Sequence, residues 1–74
     1  MKAHFPSPTF PKTRLQIAAE YNMDIKAFRR KLKQAGIELP RGQIIPADQI
    51  RIYRALGAPS YVWTKTGEYV LFDV

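Results

Sequence analysis

Five cations, Lys26, Arg29, Arg30, Lys31 and Lys33, fall within eight consecutive positions of this 74-residue chain, and Gln34 follows them. Cations at that density can neutralise a row of phosphates. Arg, Lys and Gln are also the side chains that pair with guanine O6 and N7 or adenine N6 and N7. Other chemistry is thinly provided. There is one histidine, His4, near the start, and no cysteine. The carboxylates Glu20, Asp24, Glu38, Asp48, Glu68 and Asp73 are scattered, with no pair spaced for shared acid–base work. The four glycines are isolated turn residues, not a phosphate-binding loop. The expectation is a chain with no catalytic activity, no metal, no cofactor and no small-molecule substrate.

The elements that must position those cations are legible around them. Thr13 and Gln16 form a Thr-x-x-Gln capping box, which predicts a helix over about 13–22. Leu15, Ile17, Ala18 and Tyr21 fall on one broad face of it. Asn22 tolerates a left-handed turn, and Asp24 is a natural cap for a second helix over about 24–35. Ile25, Phe28, Leu32 and Ala35 make one apolar stripe along that helix, and Gly36 stops it. The opposite side carries Lys26, Ala27, Arg30, Lys33 and Gln34, with Arg29 and Lys31 on the flanks. Such a face suits a helix lying in the major groove of duplex DNA. The plain alternative is a solvated basic surface.

Leu15 to Lys33 resembles the helix-turn-helix signature of the excisionase and MerR-like regulators. Ala18 matches the small position where the two helices touch, and Met23 the apolar position after the turn. Asp24 stands where Ser usually caps, and Phe28 and Leu32 fill the apolar positions of the second helix. Asn22 replaces the commoner Gly, and Lys31 a frequent aromatic residue. The similarity extends to about Gly57 and is shared with small uncharacterised helix-turn-helix proteins of Bacteroidetes. It implies a bacterial, sequence-specific DNA-binding protein, a transcription regulator or a recombination accessory factor.

The flanking segments complete this expectation. Residues 1–12 hold Pro6, Pro8 and Pro11, which forbid a regular helix, so an extended, loosely tethered arm is expected, with Phe5 and Phe10 as its possible anchors. Ile37 to Ile45 reads as a short hairpin, with Arg41 at a Pro-Arg-Gly tip. Placed directly after the second helix it would act as a wing, with Arg41 on the DNA backbone or in the minor groove. An ordinary connecting loop is the alternative. Pro46 to Leu56 predicts a third helix, with Pro46 at its first position, Ile50, Ile52, Tyr53, Ala55 and Leu56 apolar, and Gly57 ending it. Residues 60–73 read as a β-hairpin with a two-residue Thr66-Gly67 turn. In that register Tyr61, Trp63, Val70 and Phe72 share one face and offer a surface for homodimerisation, the alternative being packing within the monomer.

The fold class is therefore mainly α with a little β. A three-helix winged helix-turn-helix unit (13–57) lies between an N-terminal arm (1–12) and a C-terminal hairpin (58–74). At 46% hydrophobic the composition is globular. The net charge of +6 is unevenly placed. Residues 23–43 carry Lys26, Arg29, Arg30, Lys31, Lys33 and Arg41 against Asp24 and Glu38, while residues 44–74 balance to zero. That asymmetry points to a polyanion, double-stranded DNA above all. No apolar run reaches the length of a membrane span, and no signal-peptide pattern opens the chain, so a cytoplasmic location is expected. A protein-interaction module built on the aromatic hairpin is the competing reading. An RNA binder that stacks bases on Trp63 and the tyrosines is another.

Overall fold

In the computed structural model, which describes residues 5–72, the capping box at Thr13 is complete. Thr13 Oγ1 accepts from the Gln16 N–H at 3.1 Å, and Gln16 Oε1 accepts from the Thr13 N–H at 2.8 Å. The first helix, α1, spans Arg14–Glu20, shorter than the expected 13–22, because Thr13 is its cap and Tyr21 closes it. Asn22 then turns the chain at φ +57°. The Met23 N–H returns to Ala18 O at 3.0 Å and the Asn22 N–H to Ala19 O at 2.9 Å. This is a Schellman motif, which satisfies carbonyls that the helix end leaves free. Asp24 caps the second helix, α2 (Ile25–Gln34), accepting from the Ala27 N–H at 2.7 Å. Gly36, at φ +72°, ends α2 with the same pair of bonds, Gly36 N–H to Lys33 O and Ile37 N–H to Leu32 O.

The core is formed by Ile17 and Ala18 of α1, Phe28 and Leu32 of α2, Ile44, and Ile52 of the third helix, α3 (Pro46–Leu56). Tyr21, Met23, Ile25, Ile37, Leu39 and Leu56 pack around them. Three expected apolar faces are narrower than their sequence pattern. Leu15 is 68% exposed, because α1 is covered on the side of Ile17, Ala18 and Glu20 and not on its own. Ala35 lies beyond the end of α2 and is exposed, as are Ile50 and Ala55 of α3. Gln49, by contrast, is fully buried. It shares a stripe with Ile52, Tyr53 and Leu56, and its Nε2 donates to Phe10 O and Ile44 O, each at 2.8 Å. Among the described residues, no helix is long and apolar enough to cross a membrane.

Residues 37–45 do not form the expected hairpin. Ile44 pairs instead with Lys12 in an isolated antiparallel bridge, Lys12 N–H to Ile44 O at 3.0 Å and Ile44 N–H to Lys12 O at 2.7 Å. Its expected partners Ile37 and Leu39 pack on the rim of the core. The stretch is a loop, and Arg41 is exposed in it. The same bridge corrects the expectation of a loose arm, which is held at Phe10 and Lys12. Lys2 and His4 lie outside the described residues.

The largest departure from the sequence pattern is electrostatic. Lys12, the cation at the end of the arm, is 2% exposed, and Glu20 is 0% exposed. Lys12 Nζ donates to Glu20 Oε2 at 2.6 Å, and the Tyr53 hydroxyl donates to Glu20 Oε1 at 2.7 Å. The Trp63 backbone N–H adds a third bond to Glu20 Oε2 at 2.9 Å. A buried carboxylate is tolerable only with a counter-ion and satisfied lone pairs, and Glu20 has both. Burial, and after it the hydrogen bond and charge of Glu20, push the Tyr53 hydroxyl well above the ordinary tyrosine range. Burial does the same to Tyr21, whose hydroxyl donates to Gly57 O.

The C-terminal hairpin pairs β1 (Tyr61–Trp63) with β2 (Tyr69–Leu71), but one residue away from the expected register. Tyr61 faces Leu71, Val62 faces Val70 and Trp63 faces Tyr69. The cause is a three-residue connection. Thr64 N–H donates to Glu68 O at 2.7 Å, Gly67 N–H donates to Thr64 O at 3.0 Å, and Gly67 sits at φ +87°. A one-residue slip moves every side chain of one strand to the other face. Tyr61, Trp63, Tyr69 and Leu71 therefore share one face, and Val70 leaves it together with Phe72. The Tyr61 and Tyr69 rings stack at 4.8 Å, and the Tyr69 hydroxyl donates to Ala19 O, fastening the hairpin to α1.

Two outcomes test this interior. Lys12→Met leaves Glu20 buried without its cation and lowers the unfolding free energy by about 3–5 kcal/mol, whereas Lys12→Met/Glu20→Gln recovers part of that loss. Urea denaturation of the three proteins measures both. The second concerns alkali. Tyr53 titrates higher in the folded chain than in the unfolded one, so the unfolded chain loses its proton first. Stability is thus retained below the unfolded value of about 10 and declines as pH rises above it. Denaturation midpoints across that range fall in the parent and fall less steeply in Tyr53→Phe.

Candidate nucleic-acid interface

Helix α2 has two unlike sides because its apolar residues recur at helical spacing. Phe28 and Leu32 are buried in the core and Ile25 is half-buried beside them. At 100° per residue the centre of the opposite side falls on Arg30, with Lys26 and Lys33 to one side of it and Gln34 and Ala27 to the other. Lys26, Arg30, Lys33 and Gln34 are all exposed, and Ala27 is half-buried. Arg29 and Lys31 are exposed on the two flanks. The face expected from the sequence is thus brought together on one rigid element.

Its charge is uncompensated. Among the described residues there are two ion pairs, Lys12–Glu20 in the interior and Asp48–Arg51 on α3, and neither touches α2. Of the carboxylates beside the helix, Asp24 is occupied as its cap, and Glu38, across a concavity from Arg29 and Lys33, is in neither ion pair. Lys31 and Lys33 lie in the last turn, where the partial negative charge of the helix end favours cations. The width of an α-helix matches the major groove of B-DNA, and Arg and Lys are side chains that can pair with base edges or phosphates.

Arg14 was not singled out from the sequence, where it reads as one more surface cation. Its Nη1 donates to Gly42 O at 2.8 Å, and its Nη2 to Pro40 O at 2.6 Å and Leu39 O at 3.5 Å. A cation in the first turn of a helix is poorly placed for the helix dipole, and these carbonyls supply the acceptors it needs. No local pattern links position 14 to positions 39–42. Arg14 and Arg29 together line two shallow concavities. One is shared with Lys33, Glu38 and Leu39, the other with Leu15, Gly42 and Gln43. The loop carrying Arg41 therefore runs beside the Arg29–Lys33 flank of α2.

The proposed dimer surface is divided. Tyr61 and Trp63 stay on one face of the hairpin, and Val70 and Phe72 fall on the other. The exposed apolar residues of the hairpin are Tyr61, Tyr69, Val70 and Leu71, with Leu71 at 65%.

Compared with family models, with curated proteins and with solved structures, the chain matches none.

Because the cations of α2 project from a helix that is held by its other side, removing them leaves the fold unchanged. Lys26→Ala and Arg30→Ala each alter the unfolding free energy by less than about 0.5 kcal/mol, the range of surface substitutions. Phe28→Ala, on the same helix, costs about 3–5 kcal/mol. Parallel denaturation curves read the contrast.

Proposed function

We propose that this chain is a bacterial protein that binds double-stranded DNA with α2 in the major groove and has no catalytic role. One observation carries the reading: the outward side of α2 holds Lys26, Arg30 and Lys33, flanked by Arg29 and Lys31, without a carboxylate partner among the described residues. Arg30, Lys26 and Gln34 lie centrally and would read base edges, while Arg29, Lys31 and Lys33 would hold phosphates and fix the register. Arg41, in the adjacent loop, would meet the backbone or the minor groove. The resemblance of Leu15 to Lys33 to excisionase and MerR-like regulators adds support and suggests a transcription regulator or a recombination accessory factor. A cytoplasmic location follows from that role.

The hairpin supports a second reading. Val70 and Leu71 are exposed on the outer strand, β2, with Tyr61 and Tyr69 beside them. An exposed apolar edge strand invites pairing with another chain, and a second copy would suit a two-fold DNA site. In the alternative, the chain is a non-enzymatic interaction module that works through this hairpin alone.

A titration with mixed-sequence duplex at several salt concentrations separates the readings. DNA binding through α2 gives log affinity falling against log salt with a slope of about 0.9 per phosphate contacted. Lys26→Ala and Arg30→Ala weaken binding, and Arg29→Ala, at a phosphate position, lowers the slope by about 0.9. Binding that survives both substitutions but is lost in Leu71→Asn transfers the function to the hairpin. Sedimentation of the parent and Leu71→Asn reports whether a second copy is held there.

A further inference from the structure

We infer that Arg14 is a positioning residue. It braces the loop between Ile37 and Ile44 so that Arg41 stands ready as a phosphate contact beside α2. This rests on the DNA-binding reading above.

Three observations carry it. No backbone–backbone hydrogen bond falls on residues 38–43, so the loop has no ladder of its own to fix its shape. Arg14 supplies what is missing, and its acceptors, Leu39, Pro40 and Gly42, bracket Arg41 on both sides. The brace also has a firm base. Arg14 opens α1, directly after the N-cap Thr13 and inside the capping box, and the backbone of Lys12, two residues earlier, is bridged to Ile44 at the far end of the loop. Because Arg14 and Arg29 line the same concavities, the braced loop keeps to the Arg29–Lys33 flank. A contact on a preordered loop avoids the entropy of ordering it on binding. Arg14 itself has its guanidinium turned to carbonyls, and so acts through Arg41 and not on the ligand.

The guanidinium fork is what the brace needs. Lysine keeps the charge but offers a single ammonium, which cannot span three carbonyls in that geometry. The test uses the full chain with Arg14→Ala, Arg14→Lys, Arg41→Ala and Arg14→Ala/Arg41→Ala, and a mixed-sequence duplex as probe. The brace predicts that Arg14→Lys weakens DNA binding as much as Arg14→Ala does. It also predicts that the double variant binds no more weakly than Arg41→Ala alone, with a salt slope reduced by about one contact, 0.9, and not by two. Additive losses, or parental affinity in Arg14→Lys, would show Arg14 to be a direct contact and overturn the proposal.

A DNA-free measurement stands beside this. Trypsin cleavage of the Arg41–Gly42 bond, followed by mass, should be about tenfold faster or more in both Arg14 variants, as expected when a local opening becomes easier. Unchanged cleavage in both overturns the brace whatever the DNA result. Failure of the parent protein to bind duplex, with cleavage accelerated as expected, removes the contact assigned to Arg41 along with the reading of α2 and leaves the brace as a purely structural device.

Discussion

A single carboxylate, that of Glu20, gathers the chain. It stands at the end of α1 and receives Lys12 from the arm, the hydroxyl of Tyr53 from α3 and the backbone N–H of Trp63 from β1. Three segments, the arm just before α1 and the more distant α3 and β1, meet at its two oxygens. A chain of this length buries a small core, and here that core is divided between an apolar half around Phe28 and Ile17 and a polar half around Glu20. The polar half is costly to desolvate and directional. Hydrogen bonds to fixed atoms admit one arrangement of arm, helix and hairpin, where apolar contact alone would admit several.

The same economy of acidic groups explains the basic face. Glu20 is buried, Asp24 caps α2, and Asp48 pairs with Arg51 on a helix of its own. With these three carboxylates engaged elsewhere, Glu38 is the carboxylate that shares a concavity with cations of α2, Arg29 and Lys33. Lys12, which adds to the formal charge, is withdrawn from the surface by Glu20, and Arg14 has its guanidinium turned to the carbonyls of the loop. The field around the molecule is thus more localised than the charge count implies.

Features written in consecutive residues were legible in the sequence. The capping box at Thr13, the left-handed Asn22, the Asp24 cap, the Gly36 stop and the limits of α3 at Pro46 and Leu56 follow from local chemistry, and the structure has each of them. The outward face of α2 was legible for the same reason, since Phe28 and Leu32 identify its inner side. Features that depend on distant partners were not. Leu15 lies exposed because, among the described residues, α1 is covered on the side of Ile17, Ala18 and Glu20. Lys12 and Glu20 cannot be recognised as a buried pair without knowing that the arm crosses to Ile44. The hairpin register turned on whether Gly67 belonged to a two- or three-residue connection, and that one residue redistributed Val70 and Phe72. Arg14 had no local signature, since its acceptors lie beyond α2.

The bridge between Lys12 and Ile44 bears on where the smallest self-sufficient unit begins. The two helices that look like a transferable reading head start at Thr13, yet the ammonium that neutralises their interior anion precedes them. Excised at the cap, or grafted into another host from there, the pair would carry a stranded negative charge into its own centre. The residue just ahead of the motif is thus its keystone.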